Sequence, residues 1–401
     1  MEALGSSVWY HWRPSATSIL LLLLWNKGSR HDPPQREGLL HFLEHALFKG
    51  TQRRSGRALF RRIERFGGEM NAFTTKDKMG VELRVPPAAL PTALATLREL
   101  AYEATFPEKE VEKERAVILE EQAMYEDIPE ESLLDHFEEQ VFAAGGLRHP
   151  VTGYAESVRQ ISAEELRKHY KALQAARWVL VLSGGLPARS VAKAIQQTGW
   201  DKAENGPSPL PPTDILASAS VEELKRPTQQ VHLVVGGVGP SPYALPESLA
   251  LQLLLHELAG PQMGSRLNLL LRERYGWCYS VYSFWHAYPE RSVWGIYAGL
   301  TPEAKERARR LIHTELQRWQ DRPPSSSQLA QMRRSFWGRQ QLATENPTYW
   351  ISLQAKHLLD QGQLAAPHLW KEALQTLTPQ TLGETAQRYL NPLYERIYVP
   401  L

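Results

Sequence analysis

Between Ala203 and Ser220 the chain places Pro207, Pro209, Pro211 and Pro212 among Ser, Asn and Gly residues. Proline removes a backbone donor and fixes φ, so neither a helix nor a central strand can cross this stretch. A chain of 401 residues interrupted there is expected to fold as two bodies of nearly equal size. Each is long enough to bury its own core. The expected organisation is an N-terminal domain over 1–202, a linker over 203–220 and a C-terminal domain over 221–401. Hydrophobic residues make up 42% and charged residues 22% of the chain, which excludes disorder, collagen and coiled coil as the main architecture.

The first part reads as strands at Ile19–Trp25, Glu69–Thr74, Val81–Val85 and Trp178–Ser183. Helices are expected over Leu39–Phe48, Arg57–Phe66 (stopped by Gly67-Gly68), Leu90–Glu103 and Ala188–Gln197. Pro107 opens a long charged helix to about Tyr125 and Pro129 opens another, each proline standing at a favoured first-turn position. The second part repeats this rhythm. An apolar strand at Val231–Val235 is followed by a helix at Leu249–Leu258, the segment Leu267–Arg274 and a break at Gly276. Strands at Tyr279–Phe284 and Val293–Tyr297 come next, then a charged helix at Glu303–Trp319. Two similar halves suggest a duplication, and segregated strands and helices imply α+β layers.

Ile19–Trp25 is the longest apolar run, and a spanning helix needs about twenty such residues. Arg13 precedes it, as in a secretory signal, but Asn26 and Lys27 follow with no small-residue cleavage site. It reads as a buried strand, the first of its domain. No membrane span and a cytoplasmic location are therefore expected. Lys plus Arg number 46 against 44 Asp plus Glu, so charge gives no reason to expect nucleic acid as a partner. Cys278 is the single cysteine, so neither an intramolecular disulfide nor a cysteine zinc cage can form. Any metal must be held by His, Asp or Glu. Cys278 itself reads as a small packed hydrophobe.

The segment Gly38-Leu-Leu-His41-Phe-Leu-Glu44-His45-Ala-Leu-Phe carries the chemistry. On a helix, His41 and His45 lie on one face, four residues apart. Two imidazoles so placed can hold one divalent ion, zinc being the usual choice for nitrogen and carboxylate ligands. Glu44, three residues from His41, can reach a water beside that ion as a general base. The flanks Leu39, Leu40, Phe42, Leu43, Leu47 and Phe48 are apolar, so the helix is expected to be largely buried. Unpaired polar groups there would be costly without a metal. A catalytic zinc site takes three protein ligands and leaves one position open. Of the glutamates on the helix after Pro107, Glu114 and Glu121 share a side, two turns apart, and spacing does not choose between them.

His-x-x-Glu-His is the inverzincin signature. Beyond it, the chain resembles the pitrilysin/insulinase family, especially short members related to mitochondrial processing peptidase. The matching stretches are Gly28-Ser-Arg-His-Asp-Pro, Gly38 through Thr51, Gly67-Gly68 with Asn71-Ala72-Phe73-Thr74, and Glu114 through Glu121. In the second half Gly264-Ser-Arg-Leu and Arg272 through Ser283 match as well. The resemblance implies a fold of two homologous α/β-roll domains, each a mostly antiparallel sheet with helices packed on one face. It also implies a zinc metalloendopeptidase that cleaves short or unfolded peptides inside a clamshell chamber, with one Zn2+ per chain. By the same resemblance, His41, His45 and Glu121 would be the zinc ligands, Glu44 the general base and Glu114 a supporting carboxylate. Asn71, Ala72, Phe73 and Thr74 would form an edge strand to which a peptide adds. Arg272 and Tyr279 would stabilise the developing oxyanion.

The chain is half the length of the single-chain, four-domain members, so a partner is expected to close the chamber. A homodimer would be self-sufficient, and a heterodimer with a related subunit is the other arrangement the family implies. The alternative function is a non-catalytic scaffold or peptide-binding subunit of such a heterodimer. Trp277 and Cys278 depart from the smaller residues usual before the tyrosine. The second half has His256 and Glu257 but no His-x-x-Glu-His, so no metal is expected there. After His149-Pro150, the segment Val151-Thr152-Gly153 diverges from the family pattern. The basic cluster from Arg53 to Arg65 reads as a solvated helix face that could also sense acidic segments of a peptide.

Overall fold

The computed structural model describes residues 1–201, 214–391 and 393–401. Residues 203–213 of the expected linker lie outside the described residues. The end of that stretch is ordered, because Ile215–Leu216 pairs antiparallel with Phe142–Ala144.

Two compact units are present. One comprises Met1–Ala123, 145–201 and Ala343–Ala365; the other comprises Met124–Ala144, Asp214–Leu342 and Ala366–Leu401. The units therefore differ from the expected cuts at 202 and 221. Each contains a helix from the opposite half of the chain. The physical reason is that each sheet has two faces to keep dry, and helices from its own half cover only one.

The first unit holds strands β1 (Glu2–Ala3), β2 (Val8–Trp12), β3 (Ile19–Trp25), β4 (Glu69–Thr74), β5 (Met79–Val85) and β6 (Trp178–Gly184). Their order is β1-β2-β6-β3-β5-β4. β2 and β6 run parallel, and every other pair is antiparallel. The expected first strand is thus the third, because the short alternating strand β2 precedes it. Val8 and Tyr10 are the residues that β2 buries. All seven residues of β3 are buried. Leu21, Leu23 and Trp25 face the main helical layer, while Leu20, Leu22 and Leu24 pack with Ile351, Ala355, Leu358 and Leu359 of the helix Pro347–Gln361. A strand with no wet face reads as an unbroken apolar run. The expected mostly antiparallel sheet with helices packed on it is present, and the helix Pro347–Gln361 packs on its second face as well.

The second unit holds β7 (Val221–Arg226), β8 (Val231–Gly239), β9 (Cys278–Tyr288), β10 (Arg291–Leu300) and β11 (Tyr394–Pro400), in the order β9-β10-β8-β11-β7. Only β11 and β7 are parallel. Leaving out β1, the first sheet has the same order and the same single parallel pair, strand for strand. The helix Pro129–Val141 lies against this second sheet. The ring of its Phe137 meets Phe284 edge-on at 6.0 Å, and its Glu138 accepts from Tyr288 Oη at 2.7 Å. Among the described residues no helix is long and apolar enough to cross a membrane.

Glu395 on β11 is a buried carboxylate held by charge. Arg309 donates to it through Nε at 2.5 Å and Nη2 at 2.9 Å, and His313 Nε2 lies 3.0 Å away. Burial alone would raise its pKa. The His313 and Arg309 hydrogen bonds outweigh that and hold it at about 2, below the ordinary 4.5. A carboxylate depressed on folding stabilises fully above its unfolded pKa and loses that contribution as pH falls through its folded one. The wild-type melting temperature should therefore drop as pH falls from about 5 to about 3. Glu395→Gln should start lower and depend less on pH over that range. Parallel melting curves at several pH values check this, and equal slopes would overturn it.

Candidate metal centre

The site is built on α1 (Leu39–Leu47), α2 (Gly56–Glu64), α3 (Leu90–Glu103) and α4 (Glu108–Asp127), of which the part through Ala123 belongs to the first unit. The first turn of α1 has no N-cap side chain, since Gly38 stands there. Asp32 serves instead, its carboxylate accepting from Gly38 N at 2.8 Å and Leu40 N at 2.9 Å. Gly38 has φ +92°, and a Cβ on it would lie 2.4 Å from the Thr152 carbonyl oxygen. That same carbonyl accepts from Gln122 Nε2 on α4 at 2.6 Å. The segment that diverges in sequence thus abuts the start of α1 and is bonded to α4. Asp32, Gln122 and Thr152 were not assigned positioning roles from sequence. Their only signal is the glycine whose φ no other residue adopts easily.

The motif forms one polar face on a helix otherwise sunk in the core. His41 and Glu44 are buried and His45 is half-buried. The two imidazole rings lie 4.6 Å apart, nearly edge to face. α4 separates the two glutamates that spacing left equivalent. Glu121 Oε2 lies 3.8 Å from His41 Nε2 and 3.5 Å from His45 Nε2. Glu114 Oε1 lies 2.9 Å from the opposite nitrogen of His45, Nδ1, and its second oxygen is ion-paired with Lys49 Nζ.

Proton positions follow from these partners. The ionised Glu114 only accepts, so His45 Nδ1 carries a hydrogen, and Nε2 is left as the nitrogen that faces Glu121 and can ligate once deprotonated. Burial would lower the pKa of His45, but its hydrogen bond to Glu114 and the nearby carboxylates outweigh this and raise it. Burial would raise Glu114, but hydrogen bonds with His45 and Lys49 hold it down. Burial, with the charge of His45, drives His41 down to about 3, so His41 is neutral at physiological pH. Two imidazole nitrogens and a carboxylate oxygen facing one space form a donor set that suits zinc. Ligand atoms about 2.1 Å from a tetrahedral ion sit about 3.4 Å apart, close to the separations between Glu121 and the two histidines. The donor set therefore fits a divalent metal.

Glu44 also approaches, with ligand-capable atoms of His41, Glu44 and His45 all within 4.8 Å of one another. Glu44 Oε2 accepts from Thr74 Oγ1 at 3.3 Å, whereas Glu121 is the carboxylate directed at both Nε2 atoms. Burial raises Glu44 to about 6. Thr74 ends β4, the outermost strand of its sheet, paired on one side by β5. Asn71 is exposed, and Ala72, Phe73 and Thr74 are half-buried along that edge.

In the second unit, Arg272 lies in a π-helical segment, Asn268–Arg274, and its guanidinium carbon is 5.9 Å from the ring centre of Tyr279. Tyr279 falls in a register shift between Cys278 and Ser280 and is 81% exposed. A bulge turns a side chain out of the ladder. Cys278 is packed in the core, and burial pushes its thiol up to about 11. His256 is buried on the helix Glu247–Ala259, with Nε2 3.2 Å from Ser335 Oγ.

Residues 8–154 match the family described as "Insulinase (Peptidase family M16)", and residues 160–336 match "Peptidase M16 inactive domain". An uncharacterized zinc protease of Streptomyces coelicolor is 32% identical over 76% of this chain and 67% of its own length. An uncharacterized zinc protease of Bacillus subtilis is 27% identical over 87% of this chain and 85% of its own. Among solved structures, a protease from Helicobacter pylori superposes with a TM-score of 0.88 at 18% identity, covering 98% of this chain and 96% of that one. A peptidase M16 inactive domain structure from Pseudomonas fluorescens gives 0.84 at 21% identity, covering 100% and 97%. The structural likenesses carry the two-domain fold, and the sequence matches carry the kinship: this chain belongs to the insulinase family, peptidase family M16.

Proposed function

We propose that the protein is a zinc metalloendopeptidase acting on short or unfolded peptides. One observation carries the reading: His41 Nε2, His45 Nε2 and Glu121 Oε2 face a common space, with the Glu44 carboxylate beside it. His41, His45 and Glu121 would hold one zinc ion per chain. When bound, the metal supplies Lewis acidity to water and to the scissile carbonyl. Glu44 takes the proton of the attacking water and returns it to the leaving nitrogen. Its pKa, raised by burial to about 6, lies near the range where a base works best at neutral pH. Glu114 acts through His45, fixing its tautomer and ring orientation.

The free edge at Asn71–Thr74 suits a substrate added as an extra strand. Main-chain hydrogen bonding of that kind gives affinity with little sequence demand. Arg272 and the bulged Tyr279 would donate to the oxygen on which charge develops. The working assembly would be a homodimer or a heterodimer with a related subunit, closing a chamber and bringing Arg272 and Tyr279 of one chain to the other's metal centre. The intact motif in the first half favours this reading over a non-catalytic scaffold.

Purified protein with about one zinc per chain should cleave an unstructured peptide mixture, read by mass spectrometry. Glu44→Gln should keep the metal and lose about 10²–10⁴-fold in turnover. Lack of zinc in both proteins after zinc is supplied would overturn the site. Glu114→Gln should weaken zinc binding about 10–100-fold in a chelator competition. Tyr279→Phe should lower kcat about 10²–10³-fold with zinc content unchanged. A change in KM alone would remove Tyr279 from the oxyanion role.

A further inference from the structure

The chain leaves α1 into a cavity that the peptidase reading does not use. It is open, about 710 Å³, and lies wholly in the first unit. Phe48, Phe60 and Pro107 form its apolar part, the two phenyl rings lie 5.5 Å apart, and Phe60 is 37% exposed. Around them stand Lys49, Arg53, Arg54 and Arg57, against a single lining carboxylate, Glu110, which is bonded to Lys113. Three of these cations have partners. Arg54 is held by the buried Glu99, Arg53 meets Glu103 at 2.6 Å, and Lys49 meets Glu114. The Arg53 side chain is still 67% exposed, and Arg57 is exposed on α2 with Arg61 one turn on. Arg62, by contrast, is locked to Glu99 at 3.1 Å. The sequence cluster thus divides into arginines that brace the fold and arginines that rim a cavity.

We propose that this cavity binds an acidic peptide segment, with an apolar side chain on Phe48 and Phe60 and flanking carboxylates at Arg53 and Arg57. An exposed Phe60 backed by the buried Phe48 and ringed by cations matches an occupant that is partly apolar and negative. The cavity also adjoins the metal centre through one chain of contacts. Lys49 lines it and pairs with Glu114, which holds His45 Nδ1. These contacts tie the cavity to the Nδ1 side of His45, behind the face that meets Glu121. The substrate class this implies, peptides with acidic stretches, rests on the peptidase reading; the binding itself does not.

The test is fluorescence anisotropy on the full chain carrying Glu44→Gln, which keeps binding separate from turnover. Two labelled peptides share one aromatic anchor and differ only in flanking Glu or flanking Lys. The Glu peptide should bind about tenfold more tightly at low salt, and the gap should close at high salt. Arg53→Glu with Arg57→Glu should abolish or invert the preference. Reversal at the exposed Arg307 and Arg310 of the second unit should leave it unchanged, which excludes net charge as the cause. Arg57→Ala, a truncation at an exposed residue, should narrow the gap by itself. Phe60→Ala should weaken both peptides about equally. Equal binding of the two peptides by the parent protein, or a preference insensitive to Arg53 and Arg57, would overturn the proposal. Wild-type, zinc-loaded protein that cleaves nothing, beside a Glu44→Gln protein that keeps the preference, would overturn the peptidase reading and leave the cavity assigned.

Discussion

A carboxylate on a half-buried imidazole ties the first unit's chemistry to its fold. Glu114 joins α4 to α1 by accepting from His45 Nδ1 while it also receives Lys49. Without that contact two helices would meet with a polar face unsatisfied at the edge of an apolar core. With it, Nε2 of His45 is aimed, and Glu121, two turns further along α4, arrives opposite both imidazoles. Charge-assisted hydrogen bonds are stronger than neutral ones, and this one is half-buried, where water screens it little. The start of α1 is fixed as firmly by Asp32 on two backbone donors and by Gly38 against Thr152. The face that carries His41, Glu44 and His45 is thereby held from both ends.

The two units show how one architecture separates into different chemistry. Their sheets share strand order and the single parallel pair, and each has a helix from the opposite half on its second face. In the first unit the helix after the central strand presents His41, Glu44 and His45. In the second, the helix after β8 presents His256, which bonds Ser335. The second unit adds a feature of its own, the bulge that turns Tyr279 out beside Arg272. Topology repeats because burying both faces of a twisted sheet has few solutions. The polar residues are free to differ because they sit where packing does not choose them.

Much of the local structure was legible in the residues. Glu69–Thr74 and Leu90–Glu103 form as expected from period and punctuation, and Ile19–Trp25 is a strand. The helix Ala163–Gln174 was not read although Ser162 and Glu165 form a capping box at its start, and those after Ser326 were not read because segments rich in Gln, Arg and Ser give a weak periodic signal. Nor was β11, a C-terminal strand whose charged Glu395 and Arg396 hide its burial. Glu395 is inside because Arg309 and His313, more than eighty residues earlier, accompany it.

By itself the sequence determined that one helix face carries two histidines and a glutamate with no cysteine to help them, because a period of 3.6 is a local property. It also determined that a metal there needs a carboxylate from elsewhere. Spacing left Glu121 and Glu114 equivalent and only the family resemblance chose between them; the tertiary structure shows the physical difference, which imidazole nitrogen each meets, and that depends on how α4 crosses α1. Only it showed that the compact units exchange helices across the proline-rich segment. Burying the second face of a sheet is a demand of three-dimensional packing, and no local pattern records which helix will meet it.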